Sequence, residues 1–139
     1  MTKVVFYKTE GVFYAFEEVG HTGYGESGDD PLCAALSAMT MLIVNAIEVS
    51  YASSVDWLVD EKTTDIKVVA KSALPAYEED EKKRYAVGGL IQAYYYQLME
   101  LVEEYYEFLS VEVKDELIDR KSTRLNSSHK RLSRMPSSA

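Results

Sequence analysis

Residues Leu32 to about Ser50 are the stretch that most limits what this chain can fold into. Leu36, Met39, Met41, Leu42, Ile43, Val44 and Ile47 put apolar groups almost all the way round a helix. Ser37, Thr40, Asn45 and Glu48 are its few polar members. A helix of this kind must be covered on several sides. The sequence therefore predicts a sheet under it and a second subunit beside it. No run is expected to be long enough to span a membrane.

The residues that lead into this helix carry the chemistry. Gly20-His21-Thr22-Gly23-Tyr24-Gly25-Glu26-Ser27-Gly28-Asp29-Asp30-Pro31-Leu32-Cys33 holds the only cysteine and the only histidine before position 129. Asp30 is a favoured N-cap residue, and Pro31 suits the first helical position, where its missing N–H costs nothing. Cys33 then falls in the first turn. Unpaired amides and the positive end of the helix dipole favour thiolate over thiol there. His21 can serve as base or as imidazolium partner. Asp30 opposes the thiolate slightly with its own charge, and it can also orient His21. Ser37 lies four residues after Cys33, one turn along the same face. It can hydrogen-bond the site or bond back to the carbonyl of Cys33.

Each of these signals has a plainer reading. A lone cysteine on an apolar helix is usually a small buried hydrophobe, and a lone histidine near a turn is usually a surface residue. Gly23-Tyr24-Gly25-Glu26-Ser27-Gly28 also matches G-x-G-x-x-G. It is not a dinucleotide site, because Asp29 and Asp30 stand where a pyrophosphate needs bare amides and the preceding strand belongs to a hairpin. One cysteine excludes an internal disulfide framework and suits a reducing, cytoplasmic setting. The usual tetrahedral zinc site cannot be assembled from one Cys and one His, so neither metal nor other cofactor is expected.

The other elements follow from periodicity. Val4–Lys8 and Val12–Glu17 are rich in β-branched and aromatic residues around Thr9-Glu10-Gly11, which reads as a hairpin whose second strand leads to His21. Asp56–Asp60 and Ile66–Ala70 read as a second antiparallel pair turning near Glu61–Thr64. Val87, Leu90, Ile91, Tyr94, Leu98, Leu101, Val102, Tyr105 and Phe108 recur at three- and four-residue steps, an amphipathic helix of about two dozen residues. Gly88-Gly89 inside it implies close packing against another backbone. Tyr94-Tyr95-Tyr96 reads as core plus amphipathic surface, and Leu109–Val113 as a last strand. The expected fold is α+β, in the order β-β-α-β-β-α-β, with a mixed or antiparallel sheet packed with two main helices.

The spacing Gly20-His21, Gly23-Tyr24, Gly28, Asp30, Cys33-Ala34, Ser37 resembles that of the ribosomal-processing cysteine protease family, Prp. The resemblance covers roughly the first four-fifths of the chain. It implies that His21 and Cys33 are a catalytic dyad, with Asp30 and Ser37 supporting and Gly20, Gly23, Tyr24 and Gly28 in the substrate loop. It also implies a homodimer. The implied substrate is the precursor of large-subunit ribosomal protein twenty-seven, whose N-terminal extension the family removes after a short Phe-rich motif, a step needed for ribosome assembly. Pro31 stands where the family pattern leads one to expect an aliphatic residue. A non-catalytic dimeric adaptor for basic ribosomal proteins is the alternative from another class. A thiol redox sensor ranks below it for want of a resolving cysteine.

From Asp119 the chain changes character. Asp119–His129 and Ser133–Ala139 resemble a sequencing-library adapter translated in one frame, with Lys130-Arg131-Leu132 at its variable index. The sequence thus divides into a Prp-like domain, 1–118, and a disordered, non-native tail, 119–139. The whole chain has a net charge of −8, and the tail contributes six basic residues against one Asp. The body is thus more acidic than the whole, which disfavours nucleic acid and suits a basic partner. A chain ending at Ile118 should melt within a degree or two of the full chain in calorimetry. A loss of several degrees would show that the tail contributes to the fold.

Overall fold

The computed structural model describes residues 1–20, 31–60, 62, 63 and 65–117. Strands β1 (Thr2–Thr9) and β2 (Val12–Val19) pair antiparallel as the expected hairpin. Only Glu10 and Gly11 connect them, both at positive φ (49° and 78°). Two such residues give a turn whose twist matches that of the strands. A second antiparallel pair, β3 (Asp56–Val59) and β4 (Ile66–Val69), joins the sheet through β2. Strand β5 (Leu109–Asp115) is longer than its sequence pattern suggested and runs parallel to β1. The sheet is therefore mixed, in the order β3-β4-β2-β1-β5.

A bulge aligns the core. Tyr7 pairs with Ala15 but Lys8 pairs with Phe13, which leaves Tyr14 as the extra residue of β2. Without it Phe13 and Phe16 would point to opposite faces; the inserted residue brings both to one face. There they meet α2 (Glu81–Tyr105): Phe13 stacks on Tyr95, and Phe16 meets Tyr94 edge-on, with Phe6 touching all four rings. The tyrosine run divides as expected, with Tyr94 buried, Tyr95 partly buried and Tyr96 exposed. The opposite face of the sheet is polar in its middle. Tyr7 Oη donates to Glu17 Oε1, and Glu17 Oε2 lies 3.3 Å from Lys67 Nζ.

Helix α1 (Pro31–Asn45) continues into a π-helical turn, Ala46–Ser50. Leu32, Leu36, Thr40, Ile43, Val44 and Ile47 are buried. The other side is open in the single chain: Leu42 and Val49 are 63% and 70% exposed, beside exposed Ala34, Ala35 and Ala38. The several-sided cover that the sequence predicts is met within one chain on one side only. The 20 residues Pro31–Ser50 are also long and apolar enough to cross a membrane, contrary to expectation. Their buried side meets the sheet and α2, through Thr40 with Glu18 of β2 and the Leu36 carbonyl with Tyr94 of α2.

Helix α2 starts at Asp80, whose Oδ1 accepts from the Lys82 amide at 2.9 Å. Its inner row is Val87, Ile91, Tyr94 and Leu98. The two glycines differ. A Cβ on Gly88 would lie 3.4 Å from Val12 Cγ1 and 3.7 Å from the Phe13 carbonyl, whereas one on Gly89 would meet nothing within 4 Å. Close packing thus explains Gly88 and not Gly89. Gly89→Ala should raise stability by about 0.5–1 kcal/mol in denaturant unfolding, the helix-propensity difference. Gly88→Ala should gain less, because its Cβ presses on the β1–β2 hairpin.

Candidate active site

Two elements carry the candidate residues. Strand β2 ends at Val19 and hands the chain to Gly20, directly before His21. Helix α1 begins at Pro31, so Cys33 is its third residue, in the first turn as the capping pattern predicts. The thiol is half-buried. Ser37 is exposed one turn further along α1. His21, Gly23, Tyr24, Gly28 and Asp30 lie outside the described residues, so of the candidate set the structure places Gly20, Cys33 and Ser37.

Gly20 is tied down on three sides. Its φ is +89°, and a Cβ there would sit 2.7 Å from the Met1 carbonyl oxygen. Only glycine suits both conditions. Its amide donates to Asp65 Oδ1 at 3.1 Å, and its carbonyl accepts from Thr2 Oγ1 at 3.4 Å. Asp65 is held in turn, because its carbonyl accepts from the Asp60 amide at 2.9 Å. Asp60 Oδ1 accepts from the Lys62 and Thr63 amides, which hold its carboxyl below the ordinary range. The chain thus leaves the sheet toward His21 from a fixed point.

Glu18 is the more consequential neighbour. Alternation along β2 puts it on the helix-facing side, two residues after Phe16, and it is only 4% exposed. Its partners across the sheet are Val4 on β1 and Ile66 on β4, both apolar. The groups facing its carboxyl are hydroxyls: Tyr94 Oη of α2 donates to Glu18 Oε1, and Thr40 Oγ1 of α1 donates to the same oxygen at 3.2 Å. Thr40 and Tyr94 also approach each other at 3.5 Å, and Tyr94 Oη lies 3.5 Å from the Leu36 carbonyl on α1. Burial raises the Glu18 carboxyl to about 7, against the two hydrogen bonds, which lower it. Burial and the Glu18 charge raise the Tyr94 phenol, so it stays protonated.

Sequence reasoning missed Glu18, Thr40, Tyr94 and Asp65 as parts of this region. One signal was present: Glu18 follows Phe16 at a two-residue step, the inward register of an otherwise apolar strand. Asp65 gave no signal, because its contact with Gly20 spans 45 residues. Among the described residues, no three His, Cys, Asp or Glu side chains come together to hold a metal ion. A cavity of about 680 Å³ opens at the turn end of the hairpin, lined by Glu10, Gly11, Phe13, Leu74, Arg84 and Tyr85 among others, and no described candidate residue borders it.

A family model described as "Cysteine protease Prp" matches residues 1–110. The chain is similar to the crystal structure of SMU.848 from Streptococcus mutans: 30% identity, 84% of this chain and 96% of that one covered, TM-score 0.67. It shares its fold with the essential ribosomal processing protease Prp from S. aureus in complex with a covalently linked product peptide. That match has 23% identity, 82% and 100% coverage and a TM-score of 0.65. The same S. aureus protease with a substrate peptide matches at 22% identity, 82% and 100% coverage and a TM-score of 0.62. Among curated proteins there is no match.

Because the Glu18 carboxyl titrates near 7 in the folded chain and near 4.5 when exposed, the folded state holds the extra proton between these values. Its contribution to stability therefore falls as pH rises through that window, by up to about 3 kcal/mol. Glu18→Gln lacks this dependence. The stability difference between variant and wild type, from urea unfolding at pH 5 and pH 8, should move toward the variant by an amount of that order.

Proposed function

We propose that the chain, which belongs to the cysteine protease Prp family, cleaves its substrate through the Cys33 thiol with His21 as proton carrier. The observation that carries this reading is the position of Cys33, half-buried in the first turn of α1. The thiolate is the reactive form of that thiol. His21 takes the thiol proton. The sulfur then attacks the scissile carbonyl carbon, and amides at the start of α1 are the candidate donors to the oxyanion that forms. Collapse of the tetrahedral adduct breaks the C–N bond, and His21 returns its proton to the leaving amine. Water, deprotonated by the same imidazole, hydrolyses the remaining thioester and restores the thiol. Asp30 and Ser37 support these two residues. Gly20, Gly23, Tyr24 and Gly28 form the loop that receives the peptide.

The proposed substrate is the precursor of large-subunit ribosomal protein twenty-seven, from which the N-terminal extension is removed. The S. aureus Prp structures with substrate and product peptides support a ribosomal substrate. So does charge, since a chain of net −8 attracts a basic protein. A homodimer in the cytoplasm completes the reading. The open side of α1, with Leu42 and Val49 exposed, supports a second copy of the chain as its cover.

The test is incubation with that precursor, read by mass spectrometry. Wild-type protein should release the extension. Cys33→Ala and Cys33→Ser should each abolish release while leaving the circular dichroism spectrum and melting temperature in place. His21→Ala should lose about a hundredfold or more in turnover, the usual worth of general acid–base catalysis. Ser37→Ala should lose less than either. Cleavage by Cys33→Ala at the wild-type rate would end the peptidase reading and leave an adaptor for basic ribosomal proteins.

A further inference from the structure

The polar contact that joins β2, α1 and α2 has no part in the chemistry just described, yet it lies between the two elements that carry it. Glu18 is three residues before His21, about 10 Å of extended chain at most. Leu36, whose carbonyl faces Tyr94 Oη, is three helical residues after Cys33, about 4.5 Å along the axis. Thr40 is one turn further along the same face. We infer that Glu18 is a positioning residue: through Tyr94 and Thr40 it sets where the first turns of α1, and with them Cys33, sit against the end of β2. This rests on the peptidase reading of Cys33.

The geometry gives the contact a selectivity that apolar packing lacks. Val4 and Ile66, the strand partners of Glu18, and Phe16, two residues before it, are apolar and tolerate small slides of one helix over another. Two hydroxyls aimed at one oxygen do not, because hydrogen bonds weaken steeply as angle and distance depart from ideal. The donors come from different helices, so the single acceptor fixes α1 relative to α2 as well as to β2. A buried carboxyl is an expensive way to hold an interface, and removing it alone leaves the Thr40 and Tyr94 hydroxyls without that acceptor. What the carboxyl contributes is alignment, which reacting groups need more than the fold does: a misplacement of about 1 Å can cost a hundredfold in rate.

The test separates alignment from stability. Glu18→Leu fills the same space without an acceptor, and Glu18→Gln keeps one. With the ribosomal precursor, Glu18→Leu should lower kcat by about tenfold to a hundredfold, with KM within about twofold and a melting temperature within a few degrees of wild type, because the orphaned hydroxyls offset the carboxyl's own burial cost. Glu18→Gln should restore kcat to within about threefold of wild type, because its amide oxygen accepts the same two bonds. A loss of kcat that follows the loss of melting temperature across the two variants, or a wild-type kcat in Glu18→Leu, would overturn the inference. Hydrogen exchange distinguishes this failure from failure of the peptidase reading. Amides from Leu36 to Thr40 should exchange about tenfold faster or more in Glu18→Leu, whether or not the protein cuts anything. Unchanged exchange overturns the positioning role. Faster exchange in a protein whose wild type leaves the precursor intact supports that contact and overturns the peptidase reading alone.

Discussion

A carboxyl taken out of water at the junction of a strand and two helices is the interaction on which this structure turns. Glu18 sits between Val4 and Ile66 in the sheet, two apolar partners that cannot solvate a charge. An ionised group left alone there would carry a large desolvation cost. Hydroxyls from Thr40 and Tyr94 offset part of it, and the remainder appears as a carboxyl raised to about 7. The contact exists only when β2, α1 and α2 are all in place, so it is a product of the tertiary structure and sensitive to their alignment.

Around that point the core is aromatic and one-sided. The bulge at Tyr14 lets Phe13 and Phe16 share a face with Phe6, and Tyr94 and Tyr95 of α2 close over them. Such rings contribute through buried area and through edge-to-face geometry. The same helix row then carries Tyr94 onward to Glu18, so one side chain serves the apolar core and the polar contact together. Where α1 leaves this core it exposes Leu42 and Val49, and a helix with one covered side and one open apolar side is suited to a second surface.

The element pattern was legible in the sequence because it rests on local periodicity. Richness in β-branched and aromatic residues marked β1 and β2, and three- and four-residue steps marked α2; Pro31 stands where a helix starts. The position of Cys33 in the first turn was legible for the same reason, since a cap and a proline act within a few residues of themselves. The parallel pairing of β5 with β1 was not, because it joins residues more than a hundred positions apart through a register no local signal encodes. The equal reading of Gly88 and Gly89 failed similarly: both weaken the helix alike, but only Gly88 faces the hairpin.

By itself, then, the sequence determined which segments become strands and helices, that the single cysteine opens an apolar helix, and, through the spacing from Gly20 to Ser37, which protease family the chain resembles. These rest on neighbours within a turn or two of chain. Tertiary structure alone decided that Asp65 and Thr2 anchor Gly20, that Glu18 meets Thr40 and Tyr94, and that one side of α1 stays open in the single chain. The physical reason is range. Helix caps and periodic faces are set by bonds and side chains close in sequence, whereas the partner of a buried polar group is whichever distant donor the packed elements bring within about 3 Å of it.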